Sequence, residues 1–188
     1  YVKVLPKMPE GIKKIVIIDD SIVRGTTLKS SVLSMLDSYD VEEIVVISSA
    51  PQVRYPDFYG IDMSRLGELI AFRSAVNLIK KRGEEALLDE IYNQCLLSLK
   101  GSQRTKNFVR LIYGRLTEKE ISDEITRMIT PSSCKAKVSV RYLSLEDLRQ
   151  AIPDHTGDWC FSGNYPTSGA YTKICSAYVN WYVGNNER

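Results

Sequence analysis

A single histidine, His155, occurs in the 188 residues, and that scarcity excludes His-based metal clusters and two-His acid–base schemes. No family signature surrounds it, so a Cys–His or Ser–His nucleophilic unit built on it has no local support. Cysteine is sparse too: Cys95, Cys134, Cys160 and Cys175 form no Cys-x-x-Cys pair, which leaves no spacing for a zinc or iron–sulfur site. They read as reduced, mostly buried thiols. Long apolar runs are missing. The early run Ile15 to Ile18 falls far short of the roughly 20 residues that a membrane-spanning helix needs, and no secretory signal opens the chain. The expectation is a cytoplasmic protein with no membrane partner. Excess charge of one sign is also lacking, since 25 Lys+Arg against 23 Asp+Glu leave a net +2. On that balance nucleic acid is not expected as a partner, and any anion site must be a local arrangement. The sequence contains neither Gly-x-Gly-x-x-Gly nor Gly-x-x-x-x-Gly-Lys-Ser/Thr, the marks of dinucleotide and P-loop sites. It opens at Tyr1 and not at a Met, as a segment cut from a longer protein would.

What is present is an ordinary globular composition, 44% hydrophobic and 26% charged, arranged as alternating elements. Lys14 to Asp20 reads as a strand buried on both faces, because Ile15, Val16, Ile17 and Ile18 are continuous and mostly β-branched. Gly25 and Thr26 break it, and Leu28, Val32, Leu33, Met35 and Leu36 then recur at helical spacing. A second buried strand is expected at Ile44 to Ile47, which makes a βαβ unit with a parallel sheet. Ala50 to Gly60, rich in Pro and aromatics, reads as an ordered loop on a site rim. Helix dominates from Gly67 to about Lys137: one stripe is Leu87, Leu88, Ile91, Cys95 and Leu99, a second segment holds Val109, Leu111 and Ile112, and Thr117 with Glu120 forms a capping box for a third. The basic residues Lys80, Lys81, Arg82, Lys100, Arg104, Lys106 and Arg110 read as a solvated face. Val138 to Tyr142 is a further strand candidate, Ser144 caps a short helix, and Tyr171 to Val183 closes the chain as helix or strand.

One stretch carries chemistry. The strand Ile15 to Ile18 delivers Asp19 and Asp20 to its carboxyl end, where open α/β sheets bind ligands. Ser21 to Arg24 then lead into Gly25-Thr26-Thr27, directly before an amphipathic helix. A Gly lets the backbone approach an anion, the first helical turn offers unpaired N–H groups, and the helix dipole favours negative charge there. The carboxylates would repel a bare phosphate. They make sense for a sugar phosphate, whose ribose hydroxyls Asp19 and Asp20 accept directly or through hydrated Mg²⁺, while the loop takes the 5′-phosphate.

The segment Asp19 to Thr27 resembles the phosphoribosyl-pyrophosphate motif of type I phosphoribosyltransferases. Together with Ala50-Pro51-Gln52-Val53-Arg54-Tyr55-Pro56, Tyr59-Gly60-Ile61-Asp62-Met63 and Glu68-Leu69-Ile70-Ala71, it is similar to the glutamine phosphoribosylpyrophosphate amidotransferase family. Leu143 to Leu148 and Gly163-Asn164-Tyr165-Pro166-Thr167 are similar to that family's C-terminal region. The resemblance implies an α/β fold, a partial parallel-sheet type I phosphoribosyltransferase core with a helical insertion. It divides the chain into 1–74 as core with the binding motif, 75–140 as insertion, and 141–188 as the C-terminal part of the domain. It implies transfer of glutamine-derived ammonia to phosphoribosyl pyrophosphate in purine synthesis, with purine nucleotides as further ligands. Asp19, Asp20, Ser21, Arg24, Gly25, Thr26 and Thr27 would bind phosphoribosyl pyrophosphate, and Asp19 and Asp20 would share Mg²⁺. The family pattern places a glutaminase domain upstream on the same polypeptide and implies a homo-oligomer for the full-length enzyme. Some members carry an iron–sulfur cluster whose Cys positions fall on Asp57, Gly157 and Cys160, so no cluster is expected. A phosphoribosyltransferase acting on a purine base, and a ligand-sensing regulator, are the alternative readings.

Overall fold

The computed structural model describes residues 11–60, 63–101 and 105–185. Ile61 and Asp62 of the family-like motif, and Arg104 of the basic stretch, lie outside them. The order of elements is β1 (Lys14–Asp19), α1 (Leu33–Asp37), β2 (Glu43–Ser48), α2 (Ile70–Lys81), α3 (Ala86–Leu99), α4 (Arg110–Tyr113), α5 (Glu118–Ile129), β3 (Lys137–Tyr142), α6 (Leu145–Ala151), α7 (Trp159–Ser162) and α8 (Ser168–Tyr182).

All three strands run parallel in the order β1-β2-β3. Val16 stands opposite Val45 and Val45 opposite Ser139, so β2 is central. Continuous apolar character in β2 therefore matches its surroundings, with Ile44 and Val46 fully buried. The same reading fails for β1. Among the described residues it pairs on one side only, and Val16 and Ile18 are 51% and 72% exposed. Its apolar run records one covered face, Ile15 and Ile17, plus one open face.

The crossover after β1 departs from a regular α-helix. Residues Leu28–Val32 form a π-turn that continues into α1, with the Leu33 N–H bonded to the Leu28 carbonyl. That five-residue step brings Leu28 and Leu33 onto one buried face, a spacing that a 3.6-residue period would not produce.

Helix α5 packs against β3 and α2 packs against α5, while α3 packs against α8. In α2 the buried positions Phe72, Ala75, Val76 and Ile79 recur at helical spacing. The capping box of Thr117 and Glu120 opens α5, which buries Ile121, Ile125 and Ile129. On α3 the expected stripe holds for Leu87, Leu88, Ile91 and Cys95, whereas Leu99 at the last turn is exposed and Ser98 takes the inward position. Expected strand and cap at Val138–Tyr142 and Ser144 are found as β3 and α6, and Tyr171–Val183 falls almost wholly within the helix α8. One apolar cluster runs from Ile22 to Tyr178, so residues 75–140 and their flanks share a core, and α2 crosses the 74/75 boundary. The basic residues are solvated as expected, with Lys81 and Arg82 paired to Glu124 and Glu120 of α5. No described helix is long and apolar enough to cross a membrane.

Candidate functional site

Asp19 ends β1 at the carboxyl edge of the sheet and Asp20 follows it, and both are exposed. Ser49, just past β2, fixes that end: its N–H and its hydroxyl donate to the Asp19 carbonyl at 2.9 and 3.1 Å. Each carboxylate folds one oxygen back on the chain. Asp19 Oδ1 accepts from the Asp20 N–H at 3.0 Å, and Asp20 Oδ1 from the Ser21 N–H at 2.6 Å. Among the described residues the second oxygen of each has no protein partner. Two half-engaged, exposed carboxylates side by side suit ligand hydroxyls or a hydrated Mg²⁺ that keeps most of its waters. They do not make a cage, and no group of three or more His, Cys, Asp or Glu is placed to hold a metal among the described residues.

Beyond Ser21 the chain dips inward at Ile22, which is buried, and returns at Gly25 with φ +70°. Here glycine is required twice over. A side chain would be strained at that φ, and its Cβ would meet Ile129 Cγ2 at 3.0 Å and Ile70 Cδ1 at 3.4 Å. The first helical bond is Lys29 N–H to Gly25 carbonyl at 3.1 Å, so the N–H groups of Thr26, Thr27 and Leu28 precede the ladder. Thr26 and Thr27 are exposed beside them. Free amides, two exposed threonines and the positive end of the helix thus lie together at one turn, a chemistry compatible with an anion.

The sequence motif does not reveal what holds this loop. Three ties come from the start of α2 and the 3₁₀ turn before it, Leu66–Glu68. The Ile70 N–H donates to the Val23 carbonyl at 2.8 Å, and Arg73 donates through a terminal guanidinium nitrogen to the Arg24 carbonyl at 2.8 Å. The Arg24 guanidinium turns toward Glu68, with contacts of 2.7 and 2.6 Å to one carboxylate oxygen, while Arg65 reaches the other oxygen at 3.3 Å. These contacts, Arg24 first, hold the Glu68 carboxyl below the usual carboxylate range. Arg24 therefore meets Glu68 as well as belonging to the motif. Glu68 lay within a motif that the sequence offered without a role; Ser49 and Arg73 gave no local signal at all.

The loop Ala50–Gly60 is ordered, as expected, and is pinned mainly to the helices. Gln52 donates to the Glu118 carbonyl at 2.8 Å, and the N–H groups of Arg54 and Tyr55 donate to the Cys160 carbonyl at 2.9 and 3.0 Å. Tyr113 and Tyr165 donate their hydroxyls to the carbonyls of Arg54 and Pro56. Asp57 is buried and accepts from Trp159 Nε1 at 2.8 Å. Cys160 Sγ lies 4.0 Å from the same carboxylate; burial first, then the Asp57 charge, pushes its thiol up to about 12. Gly157 donates its N–H to His155 Nδ1 at 3.0 Å.

No family model matches the chain. Curated relatives do match it. The amidophosphoribosyltransferase of Pasteurella multocida is 39% identical over 95 residues, 50% of this chain and 18% of the relative. That of Pyrococcus horikoshii is 44% identical over 69 residues, 37% of this chain and 15% of the relative. That of Bacillus subtilis is also 44% identical over 69 residues, 37% of this chain and 14% of the relative. The chain therefore spans less than a fifth of the length of these relatives. The resemblance read from the motifs is borne out in bacteria and an archaeon, and the parallel α/β core agrees with a partial type I phosphoribosyltransferase fold.

Proposed function

We propose that the chain is the 5′-phosphate- and ribose-binding part of an amidophosphoribosyltransferase, which makes phosphoribosylamine from phosphoribosyl pyrophosphate and glutamine-derived ammonia in purine synthesis. The observation that carries the reading is the exposed turn from Asp19 to Thr27, with two half-engaged carboxylates at one end and Gly25 opening a helix at the other. In this proposal Ser21, Gly25, Thr26 and Thr27 take the 5′-phosphate through amides and hydroxyls. Arg24 holds the turn against Glu68, and Asp19 and Asp20 accept from the ribose hydroxyls or from water on Mg²⁺.

Such a reaction develops positive charge on the ribosyl carbon as pyrophosphate departs. Carboxylates fixed beside the ribose stabilise that charge electrostatically, and the phosphate anchor restrains the sugar for attack by ammonia. Mg²⁺, when bound, neutralises the departing pyrophosphate. No residue here is assigned as a general base. The proposal includes no iron–sulfur cluster: of Asp57, Gly157 and Cys160 only one is a thiol, and Asp57 accepts from Trp159 Nε1. A glutaminase domain on the same polypeptide, self-association of the full-length enzyme and a cytoplasmic location belong to the same proposal.

Calorimetric titration of the chain with ribose 5-phosphate is the direct test. Binding at about the millimolar level is expected, with Asp19→Asn or Asp20→Asn about 10- to 150-fold weaker, the range for one charge-assisted hydrogen bond. Affinities within threefold of the unaltered chain in both variants would reduce the carboxylates to a strand end. We further propose that the chain alone forms no phosphoribosylamine from glutamine or ammonia. Ammonia-dependent turnover by the chain alone would refute that part, whereas use of a purine base by the intact enzyme would favour the alternative transferase.

A further inference from the structure

A cleft of about 800 Å³ lies between Phe58 and residues 64–68 on one side and the helix α8 on the other, and it shares no residue with the turn Asp19–Thr27. Its volume is that of a small-molecule site. Phe58, Leu66 and Trp181 supply apolar surface, and Glu68, Arg73 and Lys173 supply charge. The Trp181 indole lies so close over Gly67 that a Cβ there would come within 2.8 Å of Trp181 Cδ1. Ring contacts with Phe72 at 4.7 Å and Tyr178 at 5.2 Å hold it from behind.

The charges in this cleft do not cancel. Glu68 is already shared by Arg24 and Arg65. Among the described residues neither Arg73 nor Lys173 has a carboxylate partner, and Arg73 Nε is buried with no acceptor. Lys173 Nζ stands 6.0 Å from the centre of the Phe58 ring, near an aromatic wall. A guanidinium with an unmet donor is costly where water does not reach it. An anion in the cleft would meet the uncompensated positive charge of Arg73 and Lys173, which both line it, and the flat apolar walls would cover an aromatic body.

We propose that this cleft binds a small organic anion with an aromatic body, set between Phe58 and Trp181 and neutralised by Lys173 and Arg73. The proposal does not rest on the reading of the Asp19–Thr27 turn: the cleft shares no residue with that turn, although its Glu68 and Arg73 also tie the turn in place.

Phenyl phosphate is a suitable probe, with phenol and inorganic phosphate as its two separate halves. The chain has two tryptophans, so two indole N–H signals report in a ¹⁵N-resolved titration, and Trp159 serves as the internal control through its bond to Asp57. Saturable movement of the Trp181 signal alone is expected at about 1–10 mM phenyl phosphate. Phenol and inorganic phosphate should each bind at least about tenfold more weakly, and Lys173→Ala, at an exposed position, should weaken phenyl phosphate by about tenfold or more. A Trp181 signal that stays still, a response equal for inorganic phosphate, or a response unchanged in Lys173→Ala would each overturn the proposal. The titration of the unaltered chain decides the first two outcomes without any variant.

Discussion

Replacing Glu68 by Gln removes a charge while preserving the shape of the side chain that holds Arg24. The turn Asp19–Thr27, proposed to bind phosphate, has three ties to the α2 region, and only the Arg24 side-chain tie passes through this carboxylate. Arg24 and Glu68 side chains are 42% and 34% exposed, so solvent screens the pair and its loss should cost about 0.2–1 kcal/mol of stability. For a chain of this size, that is a fall in melting temperature of about 0.4–4 °C. The effect on binding should be at least as large. A turn that must be reordered by its ligand loses about 1 kcal/mol of preorganisation, a fivefold weakening for ribose 5-phosphate. The pH dependence has a definite sign. Because its folded pKa is depressed, Glu68 contributes fully above the unfolded value of about 4.3, and the contribution is lost as pH falls through the lower folded value. Weakening by Glu68→Gln should therefore be constant from about pH 5 upward. Calorimetry at several pH values, with melting curves alongside, checks both parts. If melting falls as expected while affinity stays within about 1.5-fold, the clamp is structural and does not shape the turn.

Gly25→Val should cost about 1–3 kcal/mol from backbone strain alone, with further crowding against Ile129, and should abolish sugar-phosphate binding; a folded variant that still binds would show that the positive φ is dispensable. Glu124 is buried, and its bonds to Arg127 first and then Lys81 lower its carboxyl to about 2. Its stabilisation, about 2–3 kcal/mol, is complete above the unfolded value near 4.3 and disappears as pH falls toward 2. Chemical denaturation of Glu124→Gln should show that loss at pH 7 and little difference from the unaltered chain at about pH 2; equal stabilities at pH 7 would refute it. Asp57→Ala strands the Trp159 indole N–H and should cost about 1–3 kcal/mol, visible as a lower denaturation midpoint and a red-shifted tryptophan emission.

Legibility in the sequence followed distance along the chain. The capping box at Thr117 and Glu120, the strand-to-helix junction at Asp19–Thr27 and the Leu87–Cys95 stripe of α3 are local, and each was readable from neighbouring residues. The exposure of Val16 and Ile18 was not, because an apolar run does not record how many strands will flank it. Likewise the π-turn at Leu28–Val32 arises from packing that draws Leu28 and Leu33 onto one face, a tertiary demand that outweighs the usual helical period. Ser49 and Arg73 reach the turn from 30 and 49 positions away, so no window on the motif contains them.

The placement of the two carboxylates at the end of β1 has a consequence for where the molecule opens first. Among the described residues that strand is secured on one side only, whereas β2 is clasped on both. Amide hydrogen exchange should accordingly be faster along β1 than along β2, through excursions that leave the helical layers intact. The turn proposed to bind the ligand is thus suspended between a strand expected to fray and a helix, α2, that is anchored in the core. A sugar phosphate spanning Asp19 and Thr27 would stitch these two unequal supports together, so slower exchange along β1 would itself report occupancy of the turn.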